Sequence, residues 1–210
     1  MVRKWIENGD ANVSFECSES KANVFLIGDS IRMGYCAAVA DELVDVAQVF
    51  YPKDNCKNTQ NVITSIKTWV NMFDRPDRVN IVQFNCGHWD VAHWNGYEIS
   101  LTSENEYARN IKMIIYLLKR YFCNAKIVFV TTTPMNPNGV VGVNPRCNTE
   151  IDNYNKVAVD VSRNENIVVH DLNAVAKDFG SECYSDYCHF TKDASKRLGR
   201  EIANNLRQLI

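Results

Sequence analysis

The chain has 210 residues, 46% of them hydrophobic and 23% charged, with a formal net charge of -2. That length and composition fit one globular domain whose core holds without disulfide staples, and they exclude disorder. The near-neutral charge gives no general pull towards nucleic acid or an anionic membrane, and no apolar run approaches the ~18 residues of a membrane span.

In chain order, the opening MVRKWIENGDANVSF has basic residues but no apolar block of signal-peptide length, so a cytoplasmic location is expected. Residues 1–22 read as an extension or a small hairpin, with a turn available at Asn8-Gly9. From residue 23 to 210, short β-branched-rich runs alternate with longer helical patterns. The first run, Asn23–Gly28, ends in Gly28-Asp29-Ser30-Ile31. A serine on a turn between a buried strand and a helix presents its hydroxyl at the sheet edge, where helix-start amides stabilise an anion. The plainer reading is that Asp29 or Ser30 caps a helix beginning near Met33.

The second run is Val44–Phe50, followed by a helical pattern over Thr59–Phe73. The third, Val79–Asn85, leads into Asn85-Cys86-Gly87-His88-Trp89-Asp90. An asparagine at a strand's carboxyl end can aim its amide N–H into a cleft, as an oxyanion hole requires, or simply start a turn. His88 and His93 flank tryptophans and read as pocket lining or surface rather than as metal ligands. Trp89 and Trp94 either offer an indole platform to a sugar ring or cover the sheet edge. Next comes a helix over Glu104–Phe122, with Tyr107, Ile111, Ile114, Ile115, Leu118 and Phe122 on one face and a Ser103/Glu106 capping box.

The fourth run is Lys126–Thr132, followed by a helix over Thr149–Asn164 and the fifth run, Ile167–Asp171. His170 lies within that apolar run and reads as a satisfied core residue. A loop beginning around Gly180 carries Asp186-Tyr187-Cys188-His189. A serine needs a base within hydrogen-bond reach, and the base needs an acceptor that fixes its tautomer; an aspartate three residues before a histidine supplies both from one segment. Thr191 caps the last helix, whose apolar face is Ala194, Leu198, Ile202, Leu206 and Leu209.

The eight cysteines form no CxxC pair and read as reduced thiols. Cys183, Cys188 and His189 are close in sequence, but a second ligand pair at zinc-like spacing is missing. A cysteine nucleophile, Cys86 or Cys188, lacks a separate positioned base. The runs are mostly continuous rather than alternating, as in parallel strands buried on both faces, so the expected architecture is a three-layer α/β/α sandwich around a five-stranded parallel sheet. Ligands bind such a sheet at the strands' carboxyl ends, where Ser30, Asn85 and the Asp186/His189 loop would meet.

With these blocks in this order, the sequence resembles the SGNH (GDSL-type) hydrolase superfamily, from about residue 22 to the end. Gly28-Asp29-Ser30 matches the first block, Asn85 the third-block asparagine, and Asp186-x-x-His189 the last block. The resemblance implies a flavodoxin-like fold and ester hydrolysis through an acyl-serine, with no cofactor or metal. It implies Ser30 as nucleophile, His189 as base and Asp186 as orienting acid. Oxyanion donors would be the Ser30 N–H, the Asn85 side chain and a second-block glycine amide, for which Cys56 stands nearest. The third block departs from the family's Gly-x-Asn-Asp, reading Gln83-Phe84-Asn85-Cys86. The segment from Asn85 to Asp90 is similar, more loosely, to the carbohydrate acetylesterase branch. That implies a small acyl pocket with Asp29, His88, Trp89 and Trp94 on the substrate side and a small-molecule or oligosaccharide ester as substrate. The rival expectations are a lipase or thioesterase on the same machinery and a non-catalytic carbohydrate-binding protein; oligomeric state is not encoded.

Overall fold

The structure is a computed structural model that describes residues 5–6, 15–140 and 142–210. Its centre is a parallel sheet built from β2 (Ala22–Ile27), β3 (Ala47–Pro52), β4 (Ile81–Phe84), β5 (Lys126–Val130) and β6 (Val168–His170), the five expected runs each trimmed or shifted by a few residues. A two-residue strand, β1 (Trp5–Ile6), adds parallel to β3 at the edge, giving the order β1-β3-β2-β4-β5-β6 among the described residues. The hairpin turn expected at Asn8-Gly9 lies outside the described residues. From Phe15 onward the chain is already part of the core: Phe15 is fully buried and packs against Phe50 and Phe73.

The two-residue period of β2 explains the three layers. Val24 to Ile27 are all buried, but successive side chains point to opposite faces. Phe25 and Ile27 join a core with α2 (Thr59–Val70), α3 (Glu104–Tyr121) and α4 (Asn148–Asn164). Val24 and Leu26 join the other core, with α1 (Ser30–Glu42), α5 (Leu172–Lys177) and α6 (Lys192–Arg207). The capping box expected at Ser103/Glu106 forms, as does the Thr191 cap of α6. Leu198, Ile202 and Leu206 of α6 are buried, at about 1.5–3 kcal/mol each.

Two features of this frame place the site. The chain leaves β2 for β3 on one side and returns to β4 on the other, so a crevice opens beyond the carboxyl end of β2. The helices α1 and α6 approach closely enough that a Cβ on Gly199 would stand 2.6 Å from the Ala38 Cβ. That contact carries the loop preceding α6 onto the start of α1.

Candidate active site

Ser30 is the first residue of α1, three positions earlier than the start near Met33 read from the sequence. The reason is Asp29: its carboxylate accepts the Ile31 N–H at 2.9 Å and caps the helix one turn sooner. Asp29 is fully buried and does not face the cleft, which corrects its assignment to substrate binding. Burial pushes its carboxyl up, opposed by the Ile31 N–H, the Asn85 amide and the nearby Arg32 and Arg146. The Ser30 N–H has no partner among the described residues, as expected of the first helical position.

The loop from Tyr184 to Phe190 closes on itself through a bridge between those two residues and a Ser185 N–H bond to the His189 carbonyl at 2.8 Å. Inside it, Asp186 Oδ1 accepts the N–H groups of Cys188 and His189 at 2.8 and 2.7 Å. Its Oδ2 lies 2.7 Å from His189 Nδ1. Partial burial would raise the Asp186 carboxyl, but these N–H groups and the imidazole outweigh it and hold it below the usual carboxylate range. An ionised carboxylate accepts only, so Nδ1 carries a proton, and in the neutral ring Nε2 then presents its lone pair. Nε2 stands 2.8 Å from Ser30 Oγ. Ser30, His189 and Asp186, from opposite ends of the chain, are thus brought together in one row.

Asn85 continues the ladder beyond β4, its N–H bonded to the Ile27 carbonyl at 3.1 Å. Its Oδ1 is turned back, 3.5 Å from the Tyr35 hydroxyl and against Gly28, where a Cβ would come within 2.0 Å of it. The amide's NH₂ is therefore the donor end: it lies beside the Asp29 carboxyl, and its second N–H is left for a substrate oxygen. Cys56 is corrected as an oxyanion donor: its N–H is spent on the Gly28 carbonyl at 3.1 Å, and its thiol is buried beside Arg32. The residue of that loop that reaches the cleft is Asn55. It was missed because Lys57, in the left-handed region at φ 58°, turns the chain abruptly there, and no glycine advertises the turn. Arg32 holds this loop to the end of β2. Its guanidinium, 1% exposed, donates to the carbonyls of Gly28, Pro52 and Asp54.

The cleft over Ser30 encloses about 240 Å³ and is lined by Asn55, His88, Trp89, Trp94, Asn144, Arg146, Tyr187, Cys188 and His189. A larger recess of about 500 Å³, between α1 and α6, lies away from the hydroxyl. His88, Trp89 and Trp94 thus line the cleft, as read from the sequence. The two indoles pack on each other at 5.0 Å, and the Trp94 Nε1–H bonds the Trp89 carbonyl. Burial lowers the His88 pKa to about 3, so this imidazole is neutral; its Nε2 lies 3.2 Å from Thr133 Oγ1. His93 is elsewhere, paired with Glu150 at 2.8 Å. His170 is buried, but its Nδ1 has no partner, so the satisfied-core reading holds only in part. Burial pushes the Cys86 thiol well up and Cys188 to about 12, which keeps both protonated and argues against a cysteine nucleophile. All eight cysteines are free. Cys183 stays out of the Asp186, Cys188, His189 cluster. Arg146, Asn144 and Tyr187 carried no sequence signal, since they sit on irregular loops that only the tertiary fold assembles.

No family model matches the chain, and no curated protein matches its sequence. Solved structures do. A lipase/acylhydrolase from Enterococcus faecalis superposes with a TM-score of 0.71 at 18% identity, over 89% of this chain and 96% of that one. The acetyl xylan esterase AlAXEase does so at 0.68 and 15%, over 88% and 99%. A carbohydrate acetylesterase from Sinorhizobium meliloti does so at 0.66 and 13%, over 90% and 100%. The chain therefore has the α/β fold of the SGNH (GDSL-type) hydrolases. No described helix is long and apolar enough to cross a membrane.

Proposed function

We propose that the chain is a serine ester hydrolase for small acyl groups, in the first place acetyl esters of carbohydrates. The observation that carries this reading is the row from Ser30 Oγ through His189 to Asp186, at 2.8 and 2.7 Å. His189 Nε2 takes the Ser30 proton as Oγ bonds to the ester carbonyl carbon. The oxyanion forms between the Ser30 N–H and the Asn85 amide. Asp186 stabilises the imidazolium, which returns its proton to the departing alcohol as the ester C–O bond breaks. Water, deprotonated by the same imidazole, then attacks the acyl-serine and releases the acid.

The small cleft and its paired indoles support a short acyl group and a sugar-facing rim. Two of the structural neighbours carry acetylesterase names, whereas the Enterococcus faecalis neighbour is a lipase/acylhydrolase and favours the rival reading of longer acyl chains. Acetate release from acetylated oligosaccharides, beside a chain-length series of p-nitrophenyl esters, tests the proposal. Wild type should prefer acetate to octanoate and label with a fluorophosphonate at Ser30; Ser30→Ala should abolish both turnover and labelling. Full activity in Ser30→Ala would overturn the mechanism, and a preference for octanoate would overturn the acyl assignment.

A further inference from the structure

The wall of the catalytic cleft carries one fixed charge. Among the described residues that line it there is no carboxylate, and Arg146 supplies a guanidinium. That guanidinium makes no ion pair and no hydrogen bond among the described residues; it only stands over the Tyr187 ring, 5.6 Å from the centroid. Its Nε is sealed from solvent and unpartnered. Of the acids nearby, Asp29 feels this charge but forms no ion pair with it. Both oxygens of Asp186 are occupied by the His189 loop, and Asp29 is buried beneath the helix start. The two terminal NH₂ groups are not sealed in this way, and a guanidinium's paired N–H groups match a carboxylate in two parallel bonds. Asn55 and Asn144 line the same space with amides, and Tyr187 holds the guanidinium plane by its face.

We infer that the ester this cleft takes is anionic, carrying a carboxylate that binds Arg146 while Ser30 attacks the acyl carbon. The inference rests on the ester hydrolase reading above and narrows its substrate class. Two sources of that carboxylate fit: the alcohol half, as in an acetylated sugar acid, or the acyl half, as in a dicarboxylic acid monoester.

The test compares O-acetylated methyl glucuronide with O-acetylated methyl glucoside, and p-nitrophenyl succinate with p-nitrophenyl acetate. Each pair is run on wild type, Arg146→Met and Arg146→Lys, with folding checked by thermal melting. Wild type should favour the acid of one pair by about tenfold or more in kcat/KM, as for a charge-assisted pair. Arg146→Met should collapse that ratio mainly through KM, and Arg146→Lys should restore part of it. The pair that shows the preference identifies which half carries the charge. Free glucuronate or succinate should also inhibit wild type more strongly than Arg146→Met. Equal ratios in wild type and Arg146→Met, with p-nitrophenyl acetate hydrolysed, would overturn the inference alone. Failure of wild type to hydrolyse any of the four esters would instead overturn the hydrolase reading, and the inference with it.

Discussion

Replacing Gly28 with alanine tests whether Asn85 works where the structure places it. The added Cβ would stand 2.0 Å from Asn85 Oδ1 and 2.7 Å from the Arg32 Cβ. An ordinary carbon–oxygen contact is about 3.3 Å or longer, so the two groups must part by more than 1 Å. The asparagine cannot retreat freely, because its backbone is tied into the sheet through the Ile27 carbonyl. Arg32 cannot either, because its guanidinium is fixed to three carbonyls. The strain therefore moves the Asn85 amide, the α1 start, or both, and each holds a proposed oxyanion donor. Losing one such donor costs about 10²–10³ in kcat, and a misplacement of about 1 Å costs about 10². The overpacking itself costs about 1–3 kcal/mol of stability. We expect Gly28→Ala to stay folded with a lowered melting temperature and to lose about 10² in kcat on p-nitrophenyl acetate. Asn85→Ala should lose about 10²–10³ in kcat on the same ester. The double variant should lose little beyond Asn85→Ala alone, since Asn85→Ala removes the Oδ1 that the new Cβ strikes. Folded Gly28→Ala within about twofold of wild type, or losses that multiply, would refute the reasoning.

Asp186→Asn should keep the loop closed yet lower kcat by about 10³–10⁴, because an amide no longer enforces the Nδ1–H tautomer; fluorophosphonate labelling rates read this directly. Arg32→Met should cost about 3 kcal/mol or more in urea unfolding, since three carbonyls lose their buried donor. His88 and Asp90 should bias acid stability in opposite senses. The folded His88 pKa, about 3, lies below its ordinary 6.5. Its contribution is complete above the ordinary value and is lost as pH falls towards 3, at up to about 1.4 kcal/mol per unit. Asp90, held against Thr59, is raised by burial from 3.8 to about 6. Its contribution is complete below the ordinary value and is lost as pH rises through 6. Relative to wild type, His88→Gln should therefore gain stability as pH is lowered from 7 to 4, and Asp90→Asn should fall behind; the same drift in both would contradict the assignment.

The fold was legible because burial on both faces writes itself into continuous apolar runs, and the helix faces of α3 and α6 repeat at the helical period. Element ends drifted by up to three residues where side-chain hydrogen bonds decide the boundary, as Asp29 does for α1. The short helix α5 was not anticipated: Leu172, Asn173 and Ala176 are its buried residues, too few to impose a period. The Ser30, His189 and Asp186 row was legible because a strand end and a short loop state where such groups point. Cys56 was the wrong residue of its loop because the turn at Lys57 is held by the Asn55 side chain, which accepts the Lys57 N–H at 2.7 Å, rather than by a glycine. Arg146 was invisible for a related reason, since nothing local says that an arginine before α4 faces a serine more than a hundred positions earlier.

The acid and the base ride on one short loop, while the hydroxyl belongs to another helix. Distortion that enters through the packing of α1 on α6 therefore displaces the loop as a unit. The imidazole–carboxylate bond is insulated from such damage, and the gap to Ser30 absorbs all of it. A variant loosened at Gly199 would keep a shared, strongly deshielded proton between His189 and Asp186 in its NMR spectrum while its serine fell silent.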